Sequence, residues 1–224
     1  MTDPTTRLAE VNHATSRYLQ TLDGLTSEQL ADASLLPGWT RAHVVAHLAR
    51  HALGITRALH GLASGERTPV YDSPERRNAD IDETAALGDG QLRELSFAAC
   101  DRWKEAIAAV TDWDALMERV PGGPSFSADE CIDMRWREVE IHHADLGAGY
   151  TAADWPPAFT TYLLGYLAAD RTEDLTLRTP TRELTVGSGG PVVEGSETDL
   201  TWWLLGRGRG EGLSGDVPTL GGWR

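Results

Sequence analysis

The chain has 224 residues, 41% of them hydrophobic, which is enough for a sizeable core in one large domain or two small ones. The formal net charge of −14 argues against a nucleic-acid or anionic-membrane surface, because phosphate binding needs clustered lysine and arginine. The chain has only two cysteines, Cys100 and Cys131, so we expect a cytoplasmic protein without a disulfide framework. It has no apolar run of about 18 residues and no basic leader before an apolar stretch, so we expect neither a membrane span nor a signal peptide.

Apolar residues at helical spacing predict four helices in the first half of the chain. They cover approximately residues 5–23, 40–63, 73–84 and 91–110. Thr40 is the expected N-cap of the second helix, and Ser73-Pro74 is an N-cap followed by a proline in the first helical turn.

A break at Pro121-Gly122-Gly123-Pro124 precedes a further helix, which Ser127 and Asp129 introduce and which ends near Gly147. The remaining predicted elements are a helix over 157–169, short strands at 175–179, 183–186 and 191–194, a helix over 200–205 and an irregular tail over 208–224. The fold class is therefore predicted as α+β, with an all-α N-terminal domain (1–150) and a small α/β C-terminal domain (151–224).

Glu138 and His142 lie four residues apart on one predicted helix, so their side chains project from the same face as possible ligands of a divalent metal. A helical wheel places apolar residues beside them and leaves Arg137, Glu140 and Ala144 for solvent. A buried carboxylate needs a cation, which a metal or Arg135 can supply. A plain Arg135–Glu138 or Glu138–His142 pair therefore stays open as the alternative.

A third ligand has three candidates on the second predicted helix. His43, His47 and His51 are spaced four residues apart, and the residues alone do not choose between them. Two histidines and one glutamate would leave a coordination position open, which is typical of catalytic zinc and can accept a water or an external thiolate.

Four segments, taken in order, resemble the mycothiol-dependent maleylpyruvate isomerases of the DinB-like thiol-dependent metalloenzymes. They are LPGWTRAHVVAH (36–47), TPVYDSPERRN (68–78), MRWREVEIHHADL (134–146) and Gly206-Arg207-Gly208. The resemblance implies a DinB-like four-helix bundle with a small α/β C-terminal domain. It implies His47, Glu138 and His142 as zinc ligands, and Arg77 and Arg207 as active-site arginines, with Arg209 as the alternative to Arg207.

The resemblance also implies a reaction: zinc- and mycothiol-dependent isomerisation of maleylpyruvate to fumarylpyruvate, a step of gentisate catabolism in actinobacteria. A zinc-held thiolate would add to the cis double bond, the new single bond would rotate, and elimination would return the trans isomer. The expected partners are mycothiol and a small dicarboxylate, whose carboxylates the two arginines hold. A mycothiol S-transferase and a non-enzymatic metal-binding domain remain alternatives.

Overall fold

The computed structural model describes residues 3–221 and 223, and the chain divides into two compact units between Gly149 and Tyr150. The elements of the first unit are α1 (Pro4–Gly24), α2 (Ser27–Ala31), α3 (Arg41–Ser64), α4 (Pro74–Ala85), α5 (Asp89–Ala108), β1 (Leu116–Glu118), β2 (Ser125–Ser127) and α6 (Glu130–Asp145). None of the described helices is both long and apolar enough to cross a membrane.

The sequence predicted an all-α first unit, and this prediction is wrong. β1 and β2 form a small antiparallel hairpin, in which Met117 pairs with Phe126. Three-residue strands are too short to show an alternating pattern, and the predicted break at residues 121–124 is the connection between them. The short helix α2 was also missed, and its capping box at Thr26 and Gln29 was the available signal.

Four long helices surround the core of the first unit. α3 packs against α5 and α6, while α1 packs against α6 and α5. The side chains between them are apolar and almost fully buried, including those of Tyr18, Leu48, Ile55, Trp103 and Ile132. Burial of apolar surface is the main favourable contribution to folding, so these contacts fix the helices that carry the candidate ligands.

Two arginines tie α3 to α6 on either side of the candidate ligands. Arg41, at the start of α3, donates to the carbonyls of Leu146 (2.9 Å) and Gly147 (3.0 Å), just beyond the end of α6. Arg135, on α6, is fully buried and donates to the carbonyl of Leu48 on α3 at 2.9 Å. These bonds satisfy terminal carbonyls of one helix and fix the register of the pair.

The predicted solvent face of α6 is wrong in two positions. Glu140 and Ala144 are buried, because α6 packs against α1 as well as α3. Glu140 forms an ion pair with Arg17 of α1 at 2.6 Å, which compensates its buried charge. The helical wheel had placed this side chain in solvent. Arg137, the third residue of that predicted face, is half-buried.

The second unit combines two helices with a four-stranded sheet. Its elements are a 3-10 turn (Ala152–Asp154), α7 (Pro157–Asp170), β3 (Leu175–Arg178), β4 (Glu183–Val186), β5 (Val192–Glu194), α8 (Glu197–Leu204) and β6 (Ser214–Gly215). The strand order is β4-β3-β5-β6; β3 runs parallel to β5, and the other neighbours are antiparallel.

The predicted strands and helices of this unit are therefore present, but the predicted tail is not wholly irregular. It contains β6, which pairs with β5. Gly222 and Arg224, at the end of that predicted tail, lie outside the described residues.

Gly54 on α3 permits the close approach of the segment before α4, and this generates a prediction. A Cβ atom at Gly54 would lie 2.8 Å from the Val70 carbonyl oxygen, whereas one at Gly90 on α5 meets nothing within 4 Å. We expect Gly54→Ala to destabilise the protein by about 1–3 kcal/mol through overpacking. Gly90→Ala, the matched control, should be neutral or stabilise by up to about 1 kcal/mol.

The measurement is the urea-unfolding midpoint of both variants. Equal midpoints for Gly54→Ala and Gly90→Ala would contradict the close packing of residue 70 on α3.

Candidate metal centre

His47, Glu138 and His142 come together between α3 and α6. One ligand atom from each lies within 4.8 Å of the other two. Nε2 of His47 is 2.8 Å from Oε2 of Glu138, and Nε2 of His142 is 3.4 Å from the same oxygen. The Glu138 carboxylate thus stands between the two imidazoles, with a side chain that is 22% exposed.

His142 is oriented by a second carboxylate one turn further along α6. Its Nδ1 lies 2.9 Å from Oδ2 of Asp145, whose side chain is fully buried. The hydrogen bond from Nδ1–H to Asp145 holds the ring so that Nε2, the nitrogen left for a metal, faces Glu138. A carboxylate that holds the far nitrogen of a histidine in this way is the usual support of a metal-bound imidazole.

His47 is held by neighbours on two sides. Its ring stands edge-on to that of Trp39, with centroids 5.7 Å apart. Its Nδ1 lies 3.2 Å from a terminal nitrogen of Arg77, on α4. A guanidinium only donates, so Nδ1 accepts this bond, and the ring proton lies on Nε2, which donates to Glu138.

The three histidines of α3 have different surroundings. Nδ1 of His43 is hydrogen-bonded to Thr40 at the start of the helix, 2.7 Å from the hydroxyl oxygen and 3.3 Å from the backbone nitrogen. His51 is buried, its Nε2 is 3.9 Å from Oε1 of Glu138, and neither ring nitrogen has a hydrogen-bond partner among the described residues. Only His47 contributes to the three-residue cluster found in the described part of the chain.

The alternative pair of Arg135 and Glu138 is not formed. Arg135 instead directs its guanidinium to the Leu48 carbonyl and, at 3.4 Å, to the sulfur of Cys100. The Glu138–His142 pair is present, but as part of the cluster with His47 rather than alone.

The electrostatics of the cluster suit metal binding. Burial lowers the pKa of His47 to about 4, so the imidazole is neutral near pH 7. Burial acts to raise the pKa of Glu138, but electrostatic interaction with His51 and His47 and hydrogen bonds from His142 and His47 outweigh it and hold that pKa well below its ordinary value. A neutral imidazole and an ionised carboxylate are the forms that ligate a cation.

His142 behaves differently from His47. Burial acts to lower its pKa, but hydrogen bonds to Asp145 and Glu138 raise it to about 9. The imidazole therefore holds a proton near pH 7, between two carboxylates. A divalent cation competes with that proton for Nε2. The negative charges of the two carboxylates favour the cation for the same reason that they favour the proton.

The donor set fits zinc. Two imidazole nitrogens and a carboxylate oxygen are common zinc ligands, and three protein ligands leave one position for another molecule. Ligands at about 2.0–2.2 Å around a tetrahedral ion lie about 3.3–3.6 Å from one another. The 3.4 Å separation of His142 and Glu138 is already of that size, and the 2.8 Å separation of His47 and Glu138 needs a small outward movement.

The predicted active-site arginines lie in different units. Arg77 is at the cluster, through its contact with His47. Arg207 lies in the second unit, in the turn after α8, where its side chain is half-buried and donates to the carbonyl of Leu205 at 3.2 Å. Arg209 is exposed, and its backbone nitrogen donates to Glu211 at 2.8 Å. The role of Arg207 stays a prediction.

Sequence reasoning did not single out two residues beside the cluster. Tyr71 is buried, and its ring lies beneath the guanidinium groups of Arg77 and Arg119. Neither Tyr71 nor Arg119 lies on a helix, so no periodicity marks them. The signal available for Tyr71 was its place inside the 68–78 segment.

Comparison with known proteins gives a family and two similar structures. Residues 11–147 match the model of the mycothiol maleylpyruvate isomerase N-terminal domain family. The similar structures are crystal structures of the mycothiol-dependent maleylpyruvate isomerase and of a variant with one histidine replaced by alanine. Each is 30% identical, has a TM-score of 0.92, and is matched over 98% of its length and 99% of this chain. No curated protein matches the chain.

The cluster predicts which variants lose metal. We expect His47→Ala and Glu138→Ala to retain no stoichiometric zinc after dialysis, because each removes one of only three protein ligands. His43→Ala is the matched control on the same helix and should retain zinc, since its Nδ1 is used at Thr40. Elemental analysis gives the zinc content, and an unchanged content in both ligand variants would show that the metal lies elsewhere.

The contact of Asp145 with His142 generates a second metal prediction. Asp145→Asn should weaken zinc binding by about 10–100-fold, the usual effect of removing a carboxylate behind a ligating histidine. Competition with a chromophoric chelator measures the change. Asp101→Asn, at an exposed position of α5, is the control, and equal affinities for both variants would refute a supporting role for Asp145.

Proposed function

Because this chain belongs to the mycothiol maleylpyruvate isomerase family, we propose that it is a zinc- and mycothiol-dependent enzyme that isomerises maleylpyruvate to fumarylpyruvate in gentisate catabolism. The observation that carries the proposal is the convergence of His47, Glu138 and His142 within 4.8 Å. In this proposal α1, α3, α5 and α6 form a DinB-like metal-binding four-helix bundle within residues 1–150, and residues 151–224 form the small α/β domain.

The proposed ligands are His47, Glu138 and His142, and the remaining coordination position belongs to the thiol. When bound, zinc would hold the mycothiol sulfur as a thiolate, the nucleophile needed for addition to a cis double bond and for its release after bond rotation. The protein contributes a partly buried site in which Asp145 orients His142 and Arg77 contacts His47. Asp145 restricts His142 before any metal arrives, and such preorganisation lowers the cost of binding.

Arg77 is the proposed substrate-binding arginine. Its guanidinium donates to Nδ1 of His47 and, at 3.0 Å, to the side-chain oxygen of Asn78. An imidazole that ligates a cation through Nε2 carries its proton on Nδ1, so Nδ1 no longer accepts a hydrogen bond. Metal loading therefore frees one donor of Arg77 for a carboxylate of the substrate, with which guanidinium groups form strong charge-assisted bonds.

Arg207 is proposed as the second active-site arginine on the family resemblance alone, with Arg209 as its alternative. Two arginines suit a substrate with two carboxylates. A mycothiol S-transferase that acts on an uncharged electrophile has no such requirement.

A turnover assay tests the proposal. The zinc-loaded protein should consume maleylpyruvate, followed by absorbance, only when mycothiol is present. The free-thiol concentration should be the same before and after, because elimination returns the thiol. Loss of one thiol per substrate would indicate a transferase, and no mycothiol-dependent turnover would contradict the proposed reaction.

A matched pair of glutamate variants controls this assay. Glu138→Gln should abolish turnover, because it removes the charge between the two histidine ligands. Glu94→Gln, at an exposed position of α5, should turn over substrate like the unmodified protein.

A further inference from the structure

Tyr71 is a buried polar group that the proposed zinc site does not explain. The residue is 7% exposed, and its hydroxyl has no hydrogen-bond partner among the described residues. A buried hydroxyl without a partner costs free energy that an apolar ring would avoid. Such an unsatisfied group in a folded protein calls for an explanation, and a ligand that supplies the missing partner is one.

The backbone around Tyr71 is held in place from two sides. The Val70 and Tyr71 nitrogens donate to the carbonyls of Glu118 (3.0 Å) and Arg119 (2.9 Å), at the end of β1. Arg57 of α3 donates to the Val70 carbonyl at 3.1 Å. The phenol is therefore fixed by its surroundings rather than carried on a loose loop, as a binding group needs to be.

Two cations face the ring of Tyr71. The guanidinium carbons of Arg77 and Arg119 lie 5.6 Å and 5.9 Å from the ring centroid, within the range of cation–π contacts. Arg119 is exposed and has no ion pair among the described residues, although the chain holds 34 acidic residues. Arg119 therefore remains available to an anion, beside an arginine that already contacts the metal cluster.

The protonation state of Tyr71 suits a hydrogen-bond donor. Burial and the negative charge of Glu138 raise the pKa of its phenol, and the nearby Arg77 and Arg119 only partly oppose this. The hydroxyl therefore keeps its proton at neutral pH. Tyr71 and Arg77 also line a cleft of about 140 Å³ beside α3 and α4, together with Arg50, Arg57, Asp72 and Asp80.

We propose that the Tyr71 hydroxyl donates a hydrogen bond to a carboxylate oxygen of the substrate, and that Arg77 and Arg119 are the cations that attract this carboxylate. The inference deepens the proposed function, on which it rests, by adding Tyr71 and Arg119 as substrate-binding residues. It predicts recognition of an anionic group at the end of the 68–72 segment, separate from the three metal ligands.

Tyr71→Phe is the direct test, because it removes the hydroxyl and keeps the ring that both arginines contact. We expect kcat/KM for maleylpyruvate to fall by about tenfold to a hundredfold, as expected for loss of a hydrogen bond to a charged group, with zinc content unchanged. Tyr18→Phe is the matched control, since Tyr18 is also buried with an unpartnered hydroxyl but contacts neither arginine in the described structure. Its kcat/KM should stay within about twofold of the unmodified protein.

Arg119→Gln tests the second cation. We expect a several-fold rise in KM, because the exposed guanidinium attracts the substrate without being buried against it. Arg67→Gln is the control: Arg67 is an exposed arginine of the same region, 79% exposed, that pairs with Glu118 at 3.2 Å. Equal KM values for the two variants would remove Arg119 from the proposal.

Binding of maleate, a cis dicarboxylate that does not react while mycothiol is absent, separates failure of this inference from failure of the proposed function. Calorimetry on the zinc-loaded protein should show maleate binding that Tyr71→Phe weakens and Tyr18→Phe does not, whether or not maleylpyruvate is turned over. Absence of maleate binding to the unmodified protein, or equal binding to both variants, would overturn the inference. Loss of zinc from Tyr71→Phe in proportion to lost activity would overturn it too, by assigning the tyrosine to the metal site.

Discussion

The register between α3 and α6 is the constraint on which the candidate metal centre depends. Arg41 and Arg135 each donate to a backbone carbonyl of the other helix at 2.9 Å, on opposite sides of the cluster. A slip of one residue moves a side chain by about 1.5 Å along the helix and about 100° around it, which would separate Glu138 from His47. Such a slip would leave a largely buried guanidinium without its acceptor, so the two arginines define a single arrangement of the ligands.

The charges around the cluster are arranged for a divalent cation and one further anion. Glu138 and Asp145 bring two negative charges to His142, which together balance a divalent ion. Arg77 then remains as a positive charge beside His47, available to compensate a thiolate or a carboxylate. Since the net charge of −14 repels anions at long range, recognition of an anionic substrate must come from such local arginines.

The sequence predicted the longer helices and the Glu138–His142 pair, because both follow from helical periodicity. It could not choose His47 by periodicity, because His43, His47 and His51 share one face of α3. What separates them is local: Thr40 occupies His43, while Arg77 and Trp39 position His47. The prediction that Glu140 faces solvent failed for a similar reason. Its ion-pair partner Arg17 is 123 residues away in the chain and leaves no local pattern. The family resemblance named His47. The roles proposed for Tyr71 and Arg119 depend on long-range contacts, which the 68–78 segment that contains Tyr71 does not reveal by itself.

The first unit takes the proposed metal ligands and the groups proposed to bind substrate from different elements. The proposed ligands come from the paired helices α3 and α6, whereas Tyr71 and Arg77 come from one stretch that passes from extended chain into α4. Ser73 fixes that transition, because its hydroxyl accepts a hydrogen bond from the backbone nitrogen of Arg76 at 3.1 Å. If the proposed function holds, replacing side chains in this stretch would change which molecule is recognised and leave the three proposed metal ligands in place. The choice between an isomerase of dicarboxylates and a transferase of uncharged electrophiles would therefore rest on the 68–78 segment, Arg119 and the proposed Arg207, since both proposed reactions use the same metal cluster.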